Sequence, residues 1–443
     1  MSNQRDDSGG GLEDSSSGQL RLYQAVALHV DNLYPYTGKQ AFHSVPSPEH
    51  PTGTVLAAED EHSRLARHLE GNIKAGLYTL QSQPSTCIQW RVLSDRRTVE
   101  LRTLRWIDDG ERSDTDASIT TSWRFASSVL DTVVVSDTPD GAVSVSVCGT
   151  DSVVYTLDFS SPWDIAQATD ALSYTSFHRL AHSAEPTHFC GNPDDGALLV
   201  ACSDASVVWL RRKGSKLVER VCAAGAALIP RVTKFLLGAR AGDAQPIAAD
   251  AGGMGFALAA TLGRDRRLRL WTGGACAFDE ALPPLHAAAD APPFAPDARA
   301  LVRVHPLSDS AACVLVYVPD DAAPYFTLLT AERSAGRLAV RTVLRRAWRA
   351  SQVCARLADA ELVDMRVAAA ASQDAACTLW ALWAGEHTLL THAQLSLPGA
   401  HDVASLDRWV VALTPPPMRQ PAGGSGEAVL EHVMHAQRFD RGV

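Results

Sequence analysis

The sequence of 443 residues has a net charge of −10 spread along the chain, so no overall basic field draws it to DNA or RNA. Hydrophobic residues make up 46% of the chain, enough to bury a sizeable core. The nine cysteines include no C-x-x-C pair and no zinc-ligand spacing, a usage typical of a reducing compartment. No apolar run reaches the roughly 18 residues of a transmembrane helix, and we expect no transmembrane segment.

The chain begins with a segment rich in Ser, Gly and Asp, for which we predict a disordered tail over residues 1–19, without a signal peptide. From residue 20 onward, short apolar or alternating runs rich in Val, Leu and Thr are bounded by Gly, Asp, Pro or Ser. Such runs are typical of strands and predict an all-β fold class. They lie at Trp123–Phe125, Asp131–Ser136, Ala142–Cys148, Ser152–Phe159, Gly196–Cys202, Ser206–Arg212, Phe256–Leu262, Arg267–Trp271, Ala300–His305, Ala312–Val318, Tyr325–Thr330, Arg337–Leu344, Cys377–Trp383 and Leu389–Leu395.

This many strands in one run exceeds a comfortable sandwich, whereas a β-propeller repeats four-stranded sheets around an axis and protects their edges. The stretch Thr261–Trp271 (TLGRDRRLRLW) resembles a blade motif in which an Asp turn precedes a strand that ends in Trp. The stretch around Asp204 repeats the order of strand, Ser-Asp turn and strand. We expect the turn Asp to accept backbone N–H groups, while Leu and Trp fill the space between blades. The predicted structural blade motif comprises Arg264, Asp265, Leu268, Leu270, Trp271, Trp380 and Trp383.

Residues 163–180 (WDIAQATDALSYTSFHRL) are rich in Ser, Thr and Ala and poor in charge. Weakly charged amphipathic helices of this kind can sense lipid-packing defects, which makes the segment a candidate membrane-sensing helix. The alternative interpretation is a loop helix docked on the rim of the propeller. In either case the apolar arc of such a helix would contain Ile165, Ala168, Leu172 and Leu180, with Phe177 at its border.

A search for catalytic motifs finds no G-x-S-x-G, no H-E-x-x-H and no Walker sequence. His178 and His182 have the i, i+4 spacing of two metal ligands, but no third ligand accompanies them. Arginines at positions 264, 266, 267 and 269 form either a local positive patch for an acidic partner or a strand with one solvated face. We therefore predict that the protein is not an enzyme and that it has no catalytic residue, no cofactor, no cofactor-binding residue and no metal.

The end of the chain changes character. Residues 415–426 are rich in Pro and Gly and predict a linker. In residues 427–443, Val429, Leu430, Val433 and Met434 have helical spacing, which predicts the start of a helical insertion or helical domain. The predicted domain order is thus a tail (1–19), a β-propeller (20–414), a linker (415–426) and a helical segment (427–443).

Four segments in order resemble the large scaffold nucleoporins of the 120/160 family, which belong to the Y-shaped outer-ring complex. CIQWRVLSDRRTVELRTLRW is similar to the family's early strand pair, and FALAATLGRDRRLRLWT to its Arg-Asp turn and Trp-ending strand. GALLVACSDASVVWLRR resembles a hairpin in which Ala205 and Ser206 replace the family's two glycines. CTLWALW, followed by VLEHVMHAQRFDRGV, is similar to a tryptophan strand and a later short helix.

The resemblance implies a seven-bladed β-propeller, with about six of the seven blades present here and a short α-helical segment beginning at the C-terminus. It implies a structural scaffold nucleoporin of the nuclear pore complex in the nucleus, supporting nucleocytoplasmic transport such as mRNA export and protein import. Expected partners are other outer-ring scaffold nucleoporins, with no direct nucleic-acid binding and with a weak peripheral contact to the curved nuclear envelope. The alternative is a WD40-like propeller adaptor in another assembly, such as a ubiquitin ligase or a vesicle coat.

Overall fold

The computed structural model divides the chain into two units, Met1–Thr37 and Gly38–Val443. The structure describes residues 40–45, 72–105, 120–168, 171–192, 196–214, 216–223, 244–253, 256–284, 292–295, 298–319, 324–334, 336–347, 361–369, 376–384, 389–396, 405–406 and 410–413. All of these belong to the second unit. The predicted tail (1–19), linker (415–426) and C-terminal helical segment (427–443) lie outside the described residues.

The described residues form six sheets, here called blades 1 to 6, in which consecutive strands pair antiparallel. Blade 1 contains β1 (Gln40–Ser44), β2 (Asn72–Thr79), β3 (Thr86–Leu93), β4 (Thr98–Arg105) and β5 (Thr120–Arg124). Blade 2 contains β6 (Val129–Asp137), β7 (Val143–Gly149), β8 (Val153–Phe159) and β9 (Thr175–Arg179). Blade 3 contains β10 (Pro186–Asn192), β11 (Ala197–Cys202), β12 (Ser206–Lys213) and β13 (Lys216–Ala223).

The last three blades repeat this plan. Blade 4 contains β14 (Pro246–Gly252), β15 (Leu258–Gly263), β16 (Arg267–Thr272) and β17 (Ala275–Ala281). Blade 5 contains β18 (Leu301–Ser308), β19 (Ala311–Val318), β20 (Tyr325–Ser334) and β21 (Arg337–Ala347). Blade 6 contains β22 (Glu361–Ala369), β23 (Ala376–Ala384), β24 (Leu389–Ser396), β25 (Ser405–Leu406) and β26 (Val410–Leu413). The predicted all-β propeller is therefore confirmed.

The first strands of the blades, β2, β6, β10, β14, β18 and β22, lie side by side in chain order and form the inner wall of the propeller. The second and third strands are buried on both faces, as in β11 and β15, where every residue is buried. The outer strands β13 and β17 alternate between exposed and part-buried residues. This gradient explains the sequence pattern, because continuous apolar runs belong to middle strands and alternating runs to outer ones.

An apolar cluster joins each blade to the next. One packs blade 1 against blade 2 around Trp123 and Tyr155, and the others follow at each junction up to blades 5 and 6. Fully burying one large apolar side chain contributes about 1.5–3 kcal/mol, so each junction gains several such contributions.

Blade 1 differs from the others at its outer edge. There β1 pairs parallel to β5, with Gln40 opposite Thr120 and Ser44 opposite Arg124. The pairing continues through Val45, whose N–H donates to the Arg124 carbonyl at 2.8 Å. A strand from a distant part of the sequence therefore occupies an outer edge of this propeller.

The continuous helix expected over residues 163–180 is not formed, and this prediction of local structure was wrong. The segment contains two four-residue helices, α1 (Asp164–Gln167) and α2 (Ala171–Tyr174), and then passes directly into β9. Strand β9 forms here because pairing with β8 satisfies the backbone N–H and C=O groups of Thr175–Arg179. Within the described residues, none of the helices is long and apolar enough to cross a membrane.

Candidate functional site

The hairpins that join the second and third strands of blades 1 to 4 share one polar turn. An aspartate occupies the same place in each, and the next residue has a positive φ: Arg96 at 52°, Ser152 at 64°, Ala205 at 65° and Arg266 at 59°. The N–H of each positive-φ residue donates to a carbonyl three residues earlier, at 2.9–3.2 Å. The left-handed conformation is unfavourable for L-residues, so the bonds of the aspartates must offset its cost.

The aspartate carboxylates provide those bonds. Asp95 accepts the N–H groups of Arg97 and Thr98, both at 2.9 Å, and Asp265 accepts the N–H of Arg267 at 3.2 Å. The corresponding acceptors in blades 2 and 3 are Asp151 and Asp204. The turns at Asp204 and Asp265 were expected from the sequence, whereas those at Asp95 and Asp151 were not. A polar residue followed by Asp, two or three residues before a strand-like run, is the sequence signal that the four turns share.

The turn of blade 3 comes closest to a catalytic arrangement among the described residues. Ser206 Oγ lies 2.7 Å from His182 Nε2, and Asp204 Oδ2 lies 3.1 Å from the same nitrogen. In a serine nucleophile system the acid binds the opposite ring nitrogen and leaves Nε2 to the serine. Here both groups compete for one nitrogen, and Ser206 is 3% exposed, so no substrate reaches its hydroxyl. The cluster therefore serves to fix the turn.

Burial works to raise the pKa of Asp204, but the Ser206 hydroxyl and N–H and the His182 ring outweigh it. The pKa of this carboxyl therefore lies below its usual value, and the carboxylate form is the one that the turn binds. His178, the other histidine of the predicted pair, is directed to Glu219 Oε2 at 3.4 Å. Within the described residues, no group of three His, Cys, Asp or Glu side chains could hold a metal ion.

The blade motif around Asp265 is divided between the two faces of blade 4. Leu268 and Leu270 are fully buried against blade 5, whereas Trp271 is fully buried against blade 3. The indole N–H of Trp271 donates to Thr261 Oγ1 on the neighbouring strand at 2.9 Å. The sequence motif thus supplies packing to two junctions at once.

Blade 6 repeats part of this arrangement. Trp380 and Trp383 lie on β23 and are 0% and 1% exposed. The indole N–H of Trp383 donates to Thr391 Oγ1 at 2.9 Å, on the strand that follows β23. The corresponding acceptor of Trp271, Thr261, lies on the strand that precedes it. Both tryptophans of the predicted motif are therefore structural core residues.

The arginines at positions 264, 266, 267 and 269 contact residues of blade 4 and of the segment around Phe294. Arg264 Nε donates to the Phe294 carbonyl at 3.2 Å, and the Arg266 guanidinium stacks 4.2 Å from the centre of the Phe294 ring. Arg267 bonds to Asp279 at 2.7 Å, and Arg269 pairs with Asp265. These contacts favour the interpretation of a partly solvated structural strand over that of a docking patch.

The inner wall carries a charged network that the sequence did not predict. Asp250 on β14 accepts the N–H of Val304 on β18 at 2.8 Å, and Arg303 on β18 pairs with Asp364 on β22. Arg366 Nε lies 3.4 Å from the same Asp364 carboxylate. The Asp250 bond joins blade 4 to blade 5 and the Arg303–Asp364 pair joins blade 5 to blade 6, whereas Arg366 and Asp364 lie on the same strand.

The two buried carboxyls of this network are shifted in opposite directions. Burial raises the pKa of Asp250, and the opposing attraction of Arg303 and Arg366 is the smaller effect. Burial also acts to raise the pKa of Asp364, but Arg303, Arg366 and Lys74 together hold it below its usual range. Asp364 is thus the carboxylate that is fixed in its ionised form.

His188, on the inner strand β10, has its pKa lowered to about 4. Burial of the ring is the main cause, and the positive charge of Lys74 adds to it, whereas the Ile247 backbone and Asp131 act in the opposite direction. These groups come from four different blades. They meet only because the first strands converge, so no local sequence pattern could have identified them.

The candidate membrane-sensing residues are placed differently from one another. Ile165 is fully buried, and its carbonyl accepts the hydroxyl proton of Thr121 from blade 1 at 2.7 Å. Leu180 is also buried, whereas Phe177 is 44% exposed on β9. Leu172 belongs to α2. The structure thus separates residues that a single helical arc would have grouped, and lipid binding stays an untested prediction.

Comparison with solved structures finds chains of low sequence identity to this one. A beta-propeller domain of Myceliophteria thermophila Cps50 (Swd1) shares 13% identity with a TM-score of 0.45, over 80% of this chain and 89% of that chain. BBS1N in complex with ARL6DN shares 11% identity with a TM-score of 0.41, over 79% and 84%. A chain of Chaetomium thermophilum Polycomb Repressive Complex 2 bound to GSK126 shares 10% with a TM-score of 0.41, over 74% and 69%. A search of curated proteins finds no match.

The family comparison is more specific. The model of the family described as "Nucleoporin Nup120/160, beta-propeller domain" matches residues 86–443, which is most of the chain. The match includes five of the six blades completely and most of blade 1, and it agrees with the four segments that carry the sequence resemblance. The chain therefore belongs to the Nup120/160 nucleoporin family, whose members are components of the nuclear pore complex at the nuclear envelope.

Proposed function

We propose that this protein is a structural scaffold of the outer ring of the nuclear pore, and that it supports mRNA export and protein import by holding that ring together. The family match over residues 86–443 is the observation that carries the proposal. The described architecture agrees with a scaffold role, because apolar clusters join consecutive blades and a charged network connects blades 4 to 6.

The geometry of the polar groups favours a scaffold over an enzyme. The serine, histidine and aspartate cluster of blade 3 is arranged as a turn lock, and the serine is inaccessible. The arginines of blade 4 are directed to groups of the same blade and to the segment around Phe294. The net charge of −10 also argues against direct nucleic-acid binding. The proposed partners are other scaffold nucleoporins of the outer ring.

The proposal includes a weak peripheral contact with the curved nuclear envelope, made through fewer residues than the sequence indicated. Ile165 and Leu180 are buried in the propeller, so among the described side chains of that segment Phe177 is the large apolar one that lipid could reach. Binding of the whole protein to small liposomes, compared with large ones and with a Phe177→Ser variant, tests this contact. Equal binding to both sizes would contradict it.

The proposed function is tested by affinity capture of the tagged protein from its own cells in high salt, with mass spectrometry of the retained proteins. We expect other outer-ring nucleoporins in near-equal amounts. A Trp271→Ala variant, which empties a fully buried core position, serves as the control that recovery depends on the folded propeller. Recovery of a ubiquitin ligase or a vesicle coat instead would replace the scaffold interpretation with that of an adaptor.

Transport requires a separate measurement in cells. Rapid depletion of the protein should reduce nuclear import of a reporter cargo and cause polyadenylated RNA to accumulate in the nucleus. Unchanged import and RNA distribution after depletion, with the outer ring still intact, would contradict the transport role without affecting the family membership.

A further inference from the structure

Strand β13 is a regular edge strand at the outside of blade 3. Each residue from Lys216 to Ala223 pairs with one residue of β12, and this register continues without a bulge. The outer strands β17 and β21 both pair with a register shift, and β9 has five residues against eight in β13. Bulges, short length and charged side chains are usual means by which proteins prevent an edge from pairing with another chain. Strand β13 has no bulge and is long, so its charged residues restrict which chain can pair with it.

Strand β13 also exposes apolar side chains. Val218 is 50% exposed and Val221 is 45% exposed, on opposite faces of the sheet. Together with Phe177 they make up the large hydrophobic side chains that are exposed among the described residues. An edge strand with exposed valines is a template for strand addition, and among the described strands only β12 pairs with β13.

The charges around β13 define what can cover it. Lys213 and Lys216 flank the turn at Gly214, and Arg220 is exposed further along β13, where its side chain packs against Gly274 of blade 4. Glu219, the acidic residue of the strand, is already occupied, since it accepts the N–H of Ala181 at 2.8 Å. The free edge of an acidic protein is therefore locally basic.

Because side chains alternate along a strand, Lys216, Val218 and Arg220 share one face. Directly opposed side chains of paired strands lie about 4.5–5.5 Å apart and interact as pairs. A complementary strand would thus place an acidic, an apolar and an acidic residue at alternate positions on this face. On the other face an apolar residue would cover Val221.

The propeller itself shows that its outer edges accept an added strand, since β1 pairs with β5 at the edge of blade 1. Two other occupants of β13 are disfavoured by charge. A second copy paired through the same edge would place Lys216 and Arg220 near their own counterparts. Residues 224–243 of this chain contain Arg231, Lys234 and Arg240 against a single acidic residue, Asp243.

We propose that the free edge of β13 is a docking site for an extended acidic segment of a partner protein, which adds to blade 3 as a fifth strand with acidic and apolar residues alternating. This proposal rests on the proposed function in one respect, because the partner is expected to be a protein of the pore assembly.

Hydrogen–deuterium exchange of the full protein, free and within the assembly captured from cells, tests the added strand. In the assembly we expect the outward-directed amides of β13 to exchange at least tenfold more slowly. A Lys216→Glu, Arg220→Glu double variant should lose this protection, because both side chains are exposed and repel the acidic strand once reversed. The matched control is Arg337→Glu with Arg341→Glu on the bulged strand β21, which should keep it.

A photo-crosslinking residue at Val218 identifies the occupant. We expect crosslinks to a partner peptide with Asp or Glu at alternate positions. Crosslinks to residues 224–243, to a second copy, to lipid or to nucleic acid would overturn the proposal. Equal exchange of β13 in the free protein and in an assembly that still contains the outer-ring nucleoporins would overturn it too, while leaving the scaffold function intact.

Discussion

Replacing Asp204 by Ala tests whether the polar turn of blade 3 stabilises the propeller. The substitution removes three bonds to the carboxylate, from the Ser206 N–H at 2.9 Å, the Ser206 hydroxyl at 2.5 Å and the His182 ring at 3.1 Å. Ser206 is buried, so its donors lose partners that water does not readily replace, whereas the Asp204 side chain is 47% exposed. Bonds to a charged group are worth about 1.5–3 kcal/mol when buried, and solvent screening reduces this, so we expect a loss of about 2 kcal/mol.

Asp204→Asn separates the contributions of charge and geometry. The amide oxygen can still accept the Ser206 N–H, so about half of the destabilisation is expected. The pKa of Asp204 is lowered in the fold, so the carboxylate contributes stability above its usual value of 3.8, and this contribution disappears as the pH falls through the lowered pKa. The difference between the unmodified protein and Asp204→Asn should therefore shrink below about pH 4.

Urea unfolding of the purified protein, followed by tryptophan fluorescence, measures these changes as shifts in the midpoint at constant slope. The control is Glu280→Ala on the outer strand β17, an exposed acidic residue, for which a change within about 0.5 kcal/mol is expected. If Asp204→Ala costs no more than Glu280→Ala, the turn does not stabilise the blade and the reasoning is refuted.

Three further predictions concern other parts of the propeller. Ala205→Gly should raise the unfolding free energy by about 0.5–1 kcal/mol in the same urea assay, because φ is 65° there; an unchanged or lower value would show that no strain is relieved. Thr261→Val leaves the buried Trp271 indole N–H without its acceptor and should cost about 1–3 kcal/mol, measured as a lower melting temperature, whereas an equal or higher melting temperature would contradict the role of this bond. His188 stays neutral in the fold down to about pH 4, so the unfolded protein binds more protons below about pH 6.5, and stability should fall by up to about 3 kcal/mol as the pH decreases across this window. His188→Asn should flatten that part of the stability curve, and an unchanged slope would show that another group is responsible.

The local features of this fold could be read from the sequence. Middle strands such as β11 and β15 are continuous apolar runs, and the turns at Asp204 and Asp265 have their own residue pattern. The departure at Ala205, where the resembling family has glycine, coincides with a positive φ of 65°. Residues 163–180 were read incorrectly because Ile165, Ala168 and Leu172 have helical spacing, whereas Thr175–Arg179 carries no strand pattern of its own. The free edge of β8 decided between helix and strand.

What the sequence by itself determined was the all-β class, the order of the strands, two of the four aspartate turns and the family resemblance, because each depends on residues that are neighbours in the chain. Only the tertiary structure decided which faces meet and which charges lie together. Lys74, His188, Asp250, Arg303 and Asp364 come from five different strands, and they approach one another because the first strands of the blades converge on one axis. The parallel pairing of β1 with β5 and the regular free edge of β13 are also decided by the tertiary structure. They depend on how the strands pair within each sheet, and no stretch of neighbouring residues encodes that pairing.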